Sequence, residues 1–173
     1  MQESEEISRE FAVQQVREMA YQFAEMYFAF VSELRDEFGD QQTKKIVTRV
    51  LFQRAKERAE EMICIAQKEK IERIPENIGR VSNVPYLGWD ISLGCNHCPY
   101  GATWNKKIHD NSWFQSYASL YCDVTDTTIA EIFTGVYSHR LYENVLWGDN
   151  KCERTYYISE SVKRGEYTYD NVK

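Results

Sequence analysis

The stretch that decides the fold is residues 7–38, which read ISREFAVQQVREMAYQFAEMYFAFVSELRDEF. Its large apolar residues recur at spacings close to three and four, which is the period of one face of an α-helix. Gly39 follows as a C-terminal stop, and Asp40 is placed to cap a second helix. The pattern therefore predicts one long helix up to Phe38 and another that begins near Asp40.

The second helix has a charged face and an apolar face, and the apolar face carries Ile46, Val47, Val50, Leu51, Ala55, Ala59, Met62, Ile63 and Ala66. Pro75 ends this unit, so residues 1–74 are predicted to form a hairpin of two long antiparallel helices. The methionine and phenylalanine stripe of the first helix is expected to face the core. The alternative is a membrane-binding or partner-binding face, because the opposite side of each helix is charged.

The region 86–158 mixes short helices with strands. Pro99 suits the first turn of a helix that follows Cys98. Further predicted elements are a loop over 76–85, helices over 112–121 and 127–133, and strands over 86–93, 137–147 and 151–158, the last two joined by a turn at 148–150. Helices followed by a hairpin predict an α+β fold, with helices packed on a small antiparallel sheet. We expect one domain over residues 1–158 and a loosely held polar tail over 159–173.

The charge and hydropathy of the chain argue against several classes of binding partner. The chain has 173 residues and a net charge of −6, with no basic stripe of the kind that binds nucleic acid. Residues 1–6 are acidic and polar, unlike a secretory signal, and no apolar run approaches the roughly 20 residues of a membrane span. We therefore expect a cytoplasmic protein that acts on a small molecule, with homo-oligomer formation left open. The five cysteines are then read as reduced thiols.

The first cluster of chemistry-bearing residues is Cys95-Asn96-His97-Cys98-Pro99. Cys95 and Cys98 have the spacing of a dithiol redox pair, while a closed zinc site would need two more ligands nearby. Alternatively Cys98 alone is a nucleophile, since a thiol at a helix N-cap has its pKa lowered by the helix dipole. Both cysteines could equally be buried small apolar residues.

Two further cysteines lie beyond this cluster. Cys122 precedes Asp126 by four residues, which places both side chains on one face of a helix. The carboxylate would raise the thiol pKa, so Asp126 is better suited to proton transfer or to binding a substrate amine; it could also cap a helix at Thr127. Cys152 falls at the start of the last predicted strand, and Cys64 lies in an apolar part of the second helix, where a structural role is expected.

Histidines supply the remaining candidates. His97 is flanked by Cys95 and Cys98 and could polarise one of the thiols. His139 stands next to Arg140 at the start of a predicted strand, where an anion such as a substrate carboxylate could bind.

Three elements together resemble the L-2-amino-thiazoline-4-carboxylic acid hydrolase-like family. They are Cys98-Pro99-Tyr100, Leu120-Tyr121-Cys122 with Asp126, and Gly148-Asp149 followed by Cys152. The resemblance covers roughly residues 87–158. It implies helices packed on an antiparallel sheet, and hydrolytic opening of a small heterocycle at a C–N bond.

The resemblance also implies which residues form the site. Cys98, Cys122, Asp126 and Cys152 are expected to be catalytic with His97, and Tyr100, Arg140 and His139 to bind substrate. The family usually carries an arginine where this chain has Leu141, and Arg140 is one residue earlier. Since neighbouring strand residues point to opposite faces, Arg140 is expected on the other face unless a bulge intervenes.

The working hypothesis is a cysteine-dependent C–N hydrolase that acts on a cyclic amidine or an amide-like substrate, with no cofactor. Either Cys98 or Cys122 would attack, and Asp126 or His97 would transfer protons. The alternative is a non-enzymatic ligand-binding or zinc-binding module in which Cys98, Cys122 and Cys152 converge on the metal.

Overall fold

The computed structural model describes residues 7–82, 86–89 and 98–172. Its helices are α1 (Arg9–Glu69), α2 (Ile78–Val81), α3 (Pro99–Asp110), α4 (Gln115–Thr134) and α5 (Glu160–Lys163), and its strands are β1 (Tyr137–Glu143) and β2 (Glu153–Ile158). Single 3-10 turns lie at Pro75–Asn77, Tyr86–Gly88, Ser112–Phe114 and Val145–Trp147. No helix within these residues is long and apolar enough to cross a membrane.

Helix α1 is a hairpin of two arms that meet at Gly39, arm 1 over residues 9–38 and arm 2 over residues 40–69. Gly39 has φ 74° and ψ 165°, which is not helical. The Thr43 hydroxyl donates to the Leu34 carbonyl at 2.8 Å. Residues nine apart in a straight helix would be separated by about 13 Å, so the chain reverses here.

The two arms run side by side beyond the hinge. The ring of Phe23 on arm 1 lies 5.7 Å from the ring of Tyr121. Burial raises the pKa of the same tyrosine well above its usual value, and the charge of Arg58 on arm 2 partly offsets this. Both arms therefore reach α4 far from Gly39, and the predicted antiparallel helices are confirmed.

The core forms where α3 and α4 pack against the arms. Trp104, Phe114 and Tyr117 are fully buried there with Val31 and Val124. Polar atoms of the large aromatic residues are bonded: the Trp104 indole donates to the Ala24 carbonyl at 3.0 Å, and the Tyr27 hydroxyl donates to the Tyr117 carbonyl at 3.0 Å. These bonds remove the cost of burying polar groups in an apolar core.

Helix α4 corrects the prediction of two short helices over 112–121 and 127–133. The chain remains helical from Gln115 to Thr134 and ends at Gly135, which has φ 69°. Threonine and aspartate between the predicted helices favour a break locally. Burial of Val124 and Thr128 outweighs that preference. Asp126 consequently lies inside a helix, and its interpretation as an N-cap is wrong.

The predicted β-hairpin is present but shorter. β1 and β2 pair antiparallel, with a register irregularity between Leu141 and Glu143. The segment predicted to continue β1 forms the 3-10 turn Val145–Trp147 instead. The loop predicted over 76–85 contains α2, and its last residues lie outside the described chain. Of the strand predicted over 86–93, the described residues form a turn, and the others also lie outside the described chain.

The segment after Ser159 packs on the domain, contrary to the predicted loosely held tail. Val162 is buried. The backbone N–H and the hydroxyl of Thr168 both donate to the buried carboxylate of Glu131, which also accepts from Ser138. The Tyr169 hydroxyl donates to Asp123. The buried Glu131 and the partly buried Asp123 of α4 thus hold this segment, although its polar composition gives no sign of it.

Replacing Gly39 tests the hinge. We expect Gly39→Ala to lower the free energy of unfolding by about 1–3 kcal/mol, because a side chain is strained at this φ and ψ although no atom lies within 4 Å of the added Cβ. The measurement is urea unfolding followed by circular dichroism. Gly79→Ala is the matched control, since Gly79 also has open space but no positive φ. Equal stability of the two variants would contradict the hinge assignment.

Candidate active site

Cys98 stands at the N-terminus of α3, as predicted. It is the N-cap residue, with Pro99 at the first helical position, and its Sγ accepts from the Gly101 N–H at 3.3 Å. Burial raises the pKa of the Cys98 thiol, and the backbone N–H groups of Gly101 and Tyr100 and the Trp89 side chain partly offset this. The thiol is half-buried, so it combines limited solvent access with hydrogen-bond donors that favour its thiolate.

Cys122 brings the three predicted thiols together. Burial raises its pKa well above the usual value, and the charges of Asp126, Cys98 and Cys152 raise it further. Val145 lies 3.0 Å from the Cβ position of Gly101 beside Cys98, and it packs against the same core cluster as Cys122. Cys152 contacts Asn144, the neighbour of Val145, so α3, α4 and the segment before β2 bring their thiols into one region. We call this the three-thiol region.

Cys152 is held by Asn144. Its thiol donates to Asn144 Oδ1 at 3.7 Å, and the same oxygen accepts from the Leu146 N–H at 2.9 Å. The N–H of Leu146 fixes the orientation of the Asn144 amide, because the flipped amide would place its own NH₂ donor against the Leu146 N–H donor. Asn144 is 1% exposed, and its Nδ2 has no hydrogen-bond partner within the described residues. The Nδ2 group of Asn144 is thus an unsatisfied, buried N–H donor beside the three-thiol region.

Asp126 is bound by Arg154, a residue that the sequence analysis did not select. Arg154 Nη1 lies 2.8 Å from Asp126 Oδ2, and the charge of Asp126 raises the pKa of the guanidinium. Both side chains are partly exposed, so a ligand could reach the pair. Cys152, Arg154 and Tyr156 are each two residues apart. In the strand predicted over 151–158, this spacing predicts that Arg154 lies on the same face as Cys152.

His139 and Arg140 lie on opposite faces of β1. His139 is 4% exposed, and its Nδ1 lies 3.2 Å from the Thr127 hydroxyl, whereas Arg140 is exposed. The two side chains therefore do not form one anion site, which corrects that interpretation. Leu141 is buried. The strand alternation thus separates Arg140 from Leu141 as expected.

Tyr100 belongs to an aromatic wall beside Cys98. Its ring lies 5.2 Å from Phe23, 5.2 Å from Trp89 and 5.6 Å from Tyr121. Phe23, Trp89 and Tyr100 also line an open apolar groove of about 370 Å³, together with Gln15, Val16, Met19 and Ala20. Because Trp89 contacts the Cys98 thiol, this groove adjoins the three-thiol region.

Other predicted residues are distant or lie outside the described chain. His97 and Cys95 fall among residues 90–97, which the structure does not describe. Cys64 is exposed on arm 2, so the expectation that it packs in the apolar core is wrong. Across residues 7–82, 86–89 and 98–172, no three or more His, Cys, Asp or Glu side chains are grouped to hold a metal ion.

Comparison of the chain with protein-family models, with curated proteins and with solved structures found no match. The candidate site is therefore argued from its own residues and geometry.

The buried His139 predicts a pH dependence of stability. Burial lowers the pKa of His139 in the folded protein below its ordinary value of 6.5, an effect that Arg154 reinforces and Asp126 and Asp123 oppose. As the pH falls through the ordinary value, the unfolded chain takes up the proton first. The contribution of His139 to stability is thus full above about pH 6.5 and decreases below it.

We expect the free energy of unfolding to fall less between pH 7.5 and pH 5 in His139→Asn than in the wild type. Urea titrations at both pH values measure this difference. His109→Asn, at a surface site, is the control and should retain the His139 contribution. An identical pH dependence in His139→Asn and the wild type would contradict the prediction.

Proposed function

We propose that the protein is a cysteine-dependent hydrolase that opens a small heterocycle, or cleaves another C–N bond in an amidine-like or amide-like substrate. The observation that carries the proposal is the three-thiol region, with the Asp126–Arg154 pair at its side. The family resemblance adds a ring of the 2-amino-thiazoline-4-carboxylate type as the substrate class. An acidic and a basic group side by side suit a ligand that carries both a cationic amidinium and a carboxylate.

Cys98 is the better nucleophile of the two candidates. A thiol must lose its proton to attack, and burial raises the pKa of both thiols. For Cys98 the N–H groups at the start of α3 partly offset this, whereas for Cys122 the nearby carboxylate of Asp126 raises the pKa further. Cys122 therefore serves to shape the site, and Cys98 attacks.

The chemistry follows from these roles. The Cys98 sulfur forms a bond to the amidine or amide carbon, its proton passes to a base, and the π electrons move onto the heteroatom. Collapse of the adduct re-forms the π bond and breaks the C–N bond, and the base returns its proton to the leaving nitrogen. Water then hydrolyses the remaining thioester-like or thioimidate-like intermediate and releases the Cys98 thiol. Asp126 is the described candidate for proton transfer, and a substrate would share it with Arg154.

Asn144 supports the same chemistry. Asn144 caps the Val145–Trp147 turn through Oδ1 alone. Its Nδ2 has no hydrogen-bond partner among the described residues and can donate. A fixed N–H donor that needs no rearrangement stabilises negative charge that develops on a substrate oxygen. Because Asn144 is 1% exposed, a substrate carbonyl would reach this donor only after a local opening of the site.

The rival function is a ligand-binding or zinc-binding module. The location of Cys98, Cys122 and Cys152 in one region suggests it, because thiolates are preferred zinc ligands, but within the described residues these side chains are not grouped closely enough to hold a metal ion. Residues that would hold the ion are then these three thiols. Stoichiometric zinc in the purified protein, lost on substitution of any of the three, would favour this rival.

The decisive test is Cys98→Ala, assayed with 2-amino-thiazoline-4-carboxylate by following loss of the ring with NMR. We expect turnover by the wild type and a fall of at least about 10³-fold in the variant, as for removal of a nucleophile. Cys64→Ala is the matched control and should keep full activity, because Cys64 is exposed on arm 2. Circular dichroism verifies that both variants fold. If Cys98→Ala keeps full activity, the assignment of Cys98 as the nucleophile is wrong, and if Cys122→Ala does so as well, neither thiol is the nucleophile.

A further inference from the structure

Arm 1 exposes an apolar row that the predicted core role does not explain. The row consists of Met19, Phe23, Met26 and Phe30, which are 72%, 42%, 57% and 63% exposed. Ile7, before arm 1, and Phe11 and Phe38, on other sides of its helix, are also exposed. The prediction that this stripe faces the core is therefore wrong for these residues. Arm 2 carries only Val50 as a comparably exposed large apolar residue within the described chain.

The row has the geometry of a helix-packing seam. Met19, Phe23, Met26 and Phe30 follow one another at intervals of four, three and four residues. This spacing keeps the side chains on one stripe and is the pattern with which helices pack side by side. The seam therefore suits a partner helix laid along arm 1.

The spacing is also palindromic. Met19, Phe23, Met26 and Phe30 are separated by four, three and four residues, which reads the same in both directions. An antiparallel second copy centred between Phe23 and Met26 would therefore place Met19 opposite Phe30 and Phe23 opposite Met26. Four of these contacts pair a methionine sulfur with an aromatic ring, which is a favourable contact. A two-fold interface requires this kind of self-complementarity.

The area of the seam suits a small interface. With about 200 Å² for a large side chain, the exposed fractions of its four residues amount to roughly 470 Å², so two copies would bury about 900 Å², close to the lower limit for a specific interface. Lipid is a poorer occupant, because membrane-surface helices carry basic flanks. The row is flanked by Glu18, Glu25 and Glu33, while Arg17 bonds to Gly88 and Arg35 stacks on Trp113.

We infer that arm 1 is a dimer interface in which two copies pack antiparallel along the apolar row. The inference does not depend on the proposed hydrolase function. It does affect the site, because Met19 and Phe23 also line the apolar groove beside Cys98. A second copy on the row would cover that edge of the groove and reduce its opening to solvent.

Light scattering after size exclusion and sedimentation velocity at micromolar concentration test the interface in the full chain. We expect a dimer, and at least about a 30-fold weaker dissociation constant in Met26→Glu and in Phe30→Glu, because each buries a charge in the seam. Val50→Glu is the matched control: Val50 is 62% exposed on arm 2, so the variant should dimerise normally. Two variants guard against one that fails to fold.

Disulfide trapping tests the register. In a background with Cys64 and Cys95 replaced by serine, Met19→Cys chains mixed with Phe30→Cys chains should cross-link, and neither should cross-link alone. Equivalent residues of two antiparallel copies would lie about 16 Å apart at these positions. A monomeric wild type, a dimer that Met26→Glu and Phe30→Glu leave intact, or self-cross-linking of either cysteine variant would overturn the inference. So would a monomer that binds vesicles of anionic phospholipid through the row.

Discussion

Tyr117 ties the turn of the helical hairpin to α4, and the remaining packing depends on that attachment. Its ring is fully buried, and its hydroxyl donates to the backbone carbonyl and the carboxylate of Asp40, at the hinge itself. Lys44 lies over the ring and pairs with the same aspartate. Since Tyr27 on arm 1 bonds to the Tyr117 carbonyl, a single residue of α4 contacts arm 1, the hinge and arm 2.

Three faces of α4 make three different sets of contacts. One face fills the core with Val124 and Phe133. Another directs Cys122 and Asp126 towards the strands and α3. A third offers Asp123 and Glu131 as acceptors for the C-terminal segment. A continuous helix is needed for this arrangement, because a break near Thr127 would rotate the second half and move Glu131 away from the face that carries Asp123.

Local signals predicted the parts of the structure that local interactions determine. The hairpin stop at Gly39, the helix start after Cys98 and the antiparallel strands each depend on a few neighbouring residues, and all are present. The continuity of α4 could not be predicted from neighbouring residues. Threonine and aspartate disfavour a helix, and only the burial of nearby side chains in the tertiary structure compensates. The C-terminal segment was misjudged for a related reason: its polar residues are held by acceptors on α4, distant in sequence.

Sequence by itself determined the period of the arms, the position of the hinge and the place of Cys98 at a helix start, because these follow from spacing and from glycine and proline chemistry. It also carried the palindromic row of arm 1, but not the fact that the row is exposed. Only the tertiary structure decided which face of arm 1 is buried, that Arg154 binds Asp126 and that three thiols from separate elements lie in one region. Those outcomes depend on how α3, α4 and the β-hairpin pack on the arms, and packing between distant segments leaves no mark on the local order of residues.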